Sequence, residues 1–131
     1  MPENKQSRKK QIREIAESYM KQLGLNKWKL TCIYLGIPDH MVKRLQTVYP
    51  EADRGFYACI WVTAPFKFVM AINDDVSSGL LPTVIGHEIT HILLDNLFGA
   101  VKVNRPKSAR RHLETACNRV GRLLARNRKK F

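Results

Sequence analysis

The stretch "VIGHEITHIL" (Val84–Leu93) sets two histidines four positions apart, with a glutamate directly after the first. On an α-helix, positions i and i+4 lie one turn apart on the same face, so His87 and His91 aim both imidazoles at one point. Glu88 lies about 100° further round the axis, beside that point without being a ligand. A zinc ion at that point would leave a position for water. Two imidazoles hold the ion, a water bound to it has its pKa lowered to roughly 7, and a nearby carboxylate takes the proton. The plain alternative is a surface helix with two incidental histidines.

The flanking residues support a helix here. "DDVSSGLLP" is a polar approach with Pro82 suited to a first helical turn, and the helix is expected from about Leu81 to Leu97, stopping before Gly99. Two histidines do not complete a catalytic zinc site, and a third protein ligand is expected. Glu114, His112, His40, Asp95 and a cysteine are the possibilities. Asp95 lies one further turn along the same helix from His91, too far along the axis for a ligand and better placed as a supporting or capping acid. His40 falls in a loop-like region. Glu114 is the only acid after residue 100, on a basic helix just off its apolar stripe. An ion pair with Arg110 or Arg111 would explain it without a metal. His112 points to a different face from Glu114, so only one of the two can reach.

Outward from this helix the elements are readable. Ile12, Ile15, Ala16, Tyr19, Met20 and Leu23 follow i, i+3, i+4, i+7, i+8, i+11, which makes Lys9–Gly24 an amphipathic helix with Gly24 as its stop. "WKLTCIYL" (Trp28–Leu35) alternates Trp28, Leu30, Cys32, Tyr34 against Lys29, Thr31, Ile33 and reads as a strand. Pro38 opens a short helix through Leu45, and "YPEADRG" reads as loop. "FYACIWVT" (Phe56–Thr63) and "FKFVMAIN" (Phe66–Asn73) are β-rich runs joined by Ala64-Pro65 as a hairpin or tight connection. A last helix begins between Asn104 and Ser108 and runs to about Asn127, with Leu113, Ala116, Cys117, Val120 and Leu124 on its apolar face. The strands cluster in the middle, so the fold class is α+β with a small three-stranded, mainly antiparallel sheet, not a βαβ fold. Trp28 and Trp61 are read as core residues.

Composition narrows the class. A chain of 131 residues, 44% apolar, suits one domain with a single modest core, with residues 1–8 and 128–131 as flexible basic ends. No apolar run is long enough to span a membrane, and the polar "MPENKQSRKKQ" has no secretory h-region, so a cytoplasmic protein is expected. Cys32, Cys59 and Cys117 are odd in number and lack CxxC spacing, which argues for free, buried thiols, with Cys117 one turn from Glu114. The net charge of +12 is uneven. Residues 1–30 carry eight Lys/Arg against three acids, residues 31–100 four against seven, and residues 101–131 eleven against one. Such a field favours a nucleic acid, an acidic protein or an anionic surface, or it simply keeps a small protein soluble. Arg119, Arg122 and Arg126 form an outer stripe on the last helix that continues into Arg128, Lys129 and Lys130. No helix-turn-helix, zinc-finger or RNP pattern accompanies it.

"HEITH" (His87–His91) followed by "ETACN" (Glu114–Asn118) on a later helix resembles the gluzincin metallopeptidases, and the small size and strand–strand–HExxH order look most like the minimal gluzincins. The chain also resembles HExxH proteins of the ImmA/IrrE type, often linked to phages and mobile elements, through "ETACNRVGRLL". The resemblance spans roughly Trp28 to Ala125, and only its HExxH part is specific. It implies a zincin-like fold, one Zn2+ per chain held by His87, His91 and Glu114, and Glu88 as general base and proton shuttle in hydrolysis of a protein or peptide. It also implies a cleft rim at Phe66–Asn73, where an extended peptide would add to a strand edge near Ala71 and Asn73. A phage-encoded or virion-associated origin would follow from the second resemblance. Two departures stand out. Asn118 occupies the place where larger gluzincins often have an Asp that fixes a zinc histidine, and an amide raises ligand basicity less. No His or Tyr follows Glu114 to stabilise the oxyanion; Tyr49, Tyr57 or an arginine would have to serve, and an absent donor costs on the order of 100-fold or more in rate. SprT-like proteases share HExxH but usually use a third histidine, which Glu114 argues against. The rival function is a zincin fold kept as a scaffold, binding nucleic acid or a phage or virion component through the basic last helix.

Overall fold

The structure, a computed structural model, describes residues 4–48, 57–98 and 107–128, and side chains for 4–47, 57–94 and 114–127. Its elements in chain order are α1 (Lys5–Gln22), β1 (Lys29–Leu35), α2 (Asp39–Val48), β2 (Ala58–Ala64), β3 (Lys67–Ile72), α3 (Leu81–Phe98) and α4 (Lys107–Arg128). Phe56 and the "YPEADRG" loop fall outside the described residues, as do residues 1–3 and 129–131.

Helix α1 starts at Lys5, four residues before the apolar stripe suggests. Asn4 is the reason: its side-chain oxygen accepts the Gln6 N–H at 2.9 Å and satisfies one of the orphan donors of the first turn. The other end closes on Gly24, whose φ of +73° suits a residue without Cβ. Leu25 N–H reaches Met20 C=O at 2.8 Å and Gly24 N–H reaches Lys21 C=O at 3.3 Å. Leu25 and Met20 are both buried in the core, so the turn-back is also an apolar contact.

The strand order is β1-β3-β2. β2 and β3 are the antiparallel hairpin, but β1 runs parallel to β3. The sheet is therefore mixed, with one pairing of each kind, where the clustering of strands had suggested a mainly antiparallel one. A parallel pair needs a crossover connection, and α2 together with β2 provides it.

Strand β1 also departs from simple alternation. Leu30 lies opposite Phe68 and Cys32 opposite Val69, so Thr31 is an extra residue, a β-bulge. The bulge shifts the phase: Leu30 and Ile33 are buried on the same side, whereas alternation placed them on opposite sides.

One sheet face carries Leu30, Ile33, Ala58, Phe68, Met70 and Ile72 against Ile12, Ile15 and Tyr19 of α1 and Leu81, Ile85 and Ile89 of α3. A fully buried Ile or Phe contributes roughly 1.5–3 kcal/mol, so this layer is the main source of stability. The opposite face is covered in part by α2, with Met41 packed on Cys59 and Ala71 and bordered by Ile37, Leu45 and Trp61. There Tyr34 stacks on Trp61, centroids 5.9 Å apart and planes within 15°. Trp28 packs on the main core, edge-on to Phe66 and Phe68. Helix α4 lies on α3, and through Leu124 and Val120 it reaches the main core. Among the described residues no helix is long and apolar enough to cross a membrane.

Candidate metal centre

The site is built where α3 and α4 cross, and two glycines set the distance between them. A Cβ on Gly86 would lie 2.9 Å from Gly121 Cα, and a Cβ on Gly121 would lie 2.8 Å from His87 N and 3.0 Å from Thr83 O. These are backbone atoms, so the helices touch main chain to main chain. Residues on the facing sides, His87 and His91 from α3 and Glu114, Cys117 and Asn118 from α4, consequently meet.

The two Nε2 atoms stand 3.2 Å apart. Glu114 spans them, with Oε2 3.0 Å from His87 Nε2 and Oε1 3.0 Å from His91 Nε2. Zinc–ligand bonds of about 2.0–2.1 Å at tetrahedral angles set ligand atoms roughly 3.3 Å apart. The three groups thus form a His–His–Glu cluster suitable for a metal, its ligand atoms all within 4.8 Å of one another. The donor chemistry agrees, since imidazole and carboxylate together suit zinc. Of the third-ligand possibilities, Glu114 is the one assembled here. His40 sits exposed on α2, edge-on to Trp61 on the other side of the sheet. The side chains of Asp95 and His112 lie outside the described residues.

Asn118 stands behind His87, its Oδ1 2.7 Å from Nδ1. An amide oxygen there leaves Nδ1 as the proton donor and turns the Nε2 lone pair toward the cluster. The contact is the one expected for the residue four positions after the glutamate. Thr90, fully buried, donates its hydroxyl to Gly86 C=O at 2.7 Å and so satisfies itself on its own helix.

The charges are strongly coupled. Burial favours neutral His91, but hydrogen bonds with Cys117 and Glu114 and the charge of Glu88 outweigh it and lift its pKa to about 11. His87 is raised too, burial being overcome by the Glu114 hydrogen bond and the Glu88 charge. Burial would raise Glu114, yet hydrogen bonds from His87 and His91, followed by their charges, hold its carboxyl far below the usual range.

Glu88 is half-buried on α3, and its charge acts on His87, His91, Cys59 and Cys117. Cys59 is pushed up to about 12 by burial and then by Glu88, and it stays a thiol. Cys117 is fully buried beside His91. The cysteines are free, as their number and spacing suggested.

The expected peptide edge at Ala71 and Asn73 needs correction. β3 is the central strand, so Ala71 is paired with Tyr34 on one side and Cys59 on the other and is fully buried. Asn73 gives its N–H to Tyr57 C=O at 2.9 Å, while its side-chain oxygen faces Ile37 N–H at 3.3 Å. Chain order misled: the strand nearest the HExxH helix in sequence is not the outermost in space. The sheet edge that meets α3 belongs to β2. Arg119, Arg122 and Arg126 are exposed on α4, and the side chains of Arg128, Lys129 and Lys130 lie outside the described residues. Tyr57, 60% exposed, stands at the start of β2; Tyr49 is not among the described residues.

Sequence reading missed Gly86 and Gly121. Isolated glycines inside two strongly helical patterns were the signal, because such residues usually have a packing reason.

The architecture is zincin-like: an N-terminal helix, a small mixed sheet, a helix bearing HExxH and a C-terminal helix bearing a glutamate that completes the cluster. Comparison with protein-family models, with curated proteins and with solved structures found no match.

Proposed function

We propose that the chain is a zinc-dependent metallopeptidase of minimal gluzincin type, acting on a protein or peptide. The observation that carries this is the convergence of His87 Nε2, His91 Nε2 and the Glu114 carboxylate on one point, with the charge of Glu88, the residue after His87, acting on both histidines. His87, His91 and Glu114 would hold one zinc ion. When bound, the metal supplies a Lewis acid and a water of pKa roughly 7. Glu88 would serve as general base, its carboxylate taking up a water proton and returning it to the leaving amine. Asn118 keeps His87 in the tautomer that ligates. The backbone of β2, an outer strand among the described residues, is where an extended peptide would add as a further strand, from Ala58 to Ala64. That strand replaces β3 in this role.

The test has two readouts. Elemental analysis of tag-free protein is expected to give about one zinc per chain, lost or weakened in Glu114→Ala. Glu88→Gln is expected to keep the metal and lose hydrolysis of an unfolded protein substrate. Hydrolysis that survives Glu88→Gln would remove the role assigned to Glu88, and absence of metal from wild type even after zinc is offered would remove the site.

A further inference from the structure

The outer side of α4 carries charge that the metal centre does not use. Arg119, Arg122 and Arg126 are all exposed, and among the described residues none of them forms an ion pair. At 100° and 1.5 Å per residue they occupy one strip, roughly 80–140° round the axis from Glu114 and about 10 Å long. The only acid of α4 is Glu114, and it is turned inward onto the histidines. The strip is therefore purely cationic and rigidly spaced.

We infer that this strip is a docking surface for the phosphate backbone of duplex nucleic acid, bound without sequence preference. Guanidinium forks match phosphate oxygens in geometry as well as charge. What the strip lacks decides between polyanions. An acidic protein surface would be held around an apolar interface core, and an anionic membrane would need an apolar helix face to enter it. The apolar side of α4 is spent on α3, and Leu123 is its one large apolar side chain left exposed among the described residues. Single-stranded chains are gripped chiefly by stacking on large aromatic side chains, and the described part of α4 has no Phe, Tyr or Trp. Backbone phosphate binding needs charge alone. Arginines that meet phosphates fix a protein's position on the duplex and carry no sequence information. Glu114 and the strip face different ways, so a bound duplex leaves the metal centre open to a neighbouring chain. This inference does not rest on the peptidase reading.

The experiment measures binding of the full chain to a fluorescent random-sequence DNA duplex between 50 and 200 mM salt, for wild type and for Arg119→Gln/Arg122→Gln/Arg126→Gln. Three lost phosphate contacts make the slope of log K against log salt shallower by about 2.7, so over this fourfold salt range the variant's affinity falls about 40-fold less. The matching triple lysine variant is expected to keep the wild-type slope, which separates charge from disturbed folding. Zinc content is expected to be unchanged in both. No duplex binding at 50 mM salt overturns the proposal. So does a wild-type slope in the glutamine variant, or tighter binding to polyglutamate or to phosphatidylserine vesicles than to the duplex.

Discussion

Gly121→Ala tests the helix crossing most directly. The new Cβ would meet His87 N at 2.8 Å, Thr83 O at 3.0 Å and Gly86 C at 3.2 Å. Ordinary contact begins near 3.4 Å, so α4 must retreat from α3 by roughly half an ångström or more, because no flexible side chain is there to yield. Overpacking of this kind costs about 1–3 kcal/mol. Alanine returns up to about 1 kcal/mol through helix propensity. The expected net is a loss of roughly 1–2 kcal/mol in denaturant unfolding of the metal-free protein. Metal binding should suffer as well. Ligand distances are tolerated to within about 0.2 Å, and Glu114 rides on the displaced helix, so zinc affinity is expected to fall at least about 10-fold in a chelator competition. Gly86→Ala, which meets Gly121 Cα at 2.9 Å from the other side, should behave alike. A Gly121→Ala protein more stable than wild type, with unchanged zinc affinity, would show propensity acting unopposed and refute the close approach.

Asn118→Ala removes the oxygen 2.7 Å from His87 Nδ1 and is expected to weaken zinc binding about 10-fold or more, whereas Asn118→Asp should bind at least as well as wild type; equal affinity in Asn118→Ala would dismiss the contact. In the metal-free protein, His91 is raised from 6.5 to about 11 and Glu114 lowered from 4.5. A raised histidine stabilises fully below its unfolded pKa and loses that contribution as pH climbs toward its folded value; a lowered carboxyl stabilises above its unfolded pKa and loses it as pH falls. Metal-free melting temperature is therefore expected to be highest near pH 4.5–6.5 and to decline on both sides, while the increment from zinc grows above pH 6.5 as ligand protons become easier to displace. A zinc increment independent of pH from 6 to 9 would contradict this. Gly24→Ala, at φ +73°, should cost about 1 kcal/mol in thermal unfolding despite the open space around it, and a neutral result would count against the left-handed turn.

What was legible in the sequence was local. His87, Glu88 and His91 could be placed because i and i+4 meet on any helix, and Glu114 stood out as a single acid in a basic helix. The strand register was harder. Apolar alternation put Cys32 with Leu30, but the Thr31 bulge reverses the phase, and nothing in "KLTCIYL" distinguishes an inserted residue from a regular one. The order of strands was equally hidden, since pairing of Tyr34 with Ala71 and of Ala71 with Cys59 depends on contacts far apart in sequence. That is why the peptide edge moved from β3 to β2. Gly86 lay inside the stretch first read for its histidines, yet its purpose appears only when Gly121, 35 positions later, comes against it.

Helix α4 rests on α3, and no other described element shares a comparable contact with it. Two of the three metal-cluster groups belong to α3 and the third to α4, 27 positions from His87 to Glu114 along the chain. A metal bound there would work as a reversible staple, closing a loop that otherwise costs entropy to close. Chelation would then do more than empty a site. It would turn the last helix into the first part of the molecule to let go, with the sheet and the two earlier main-core helices still standing.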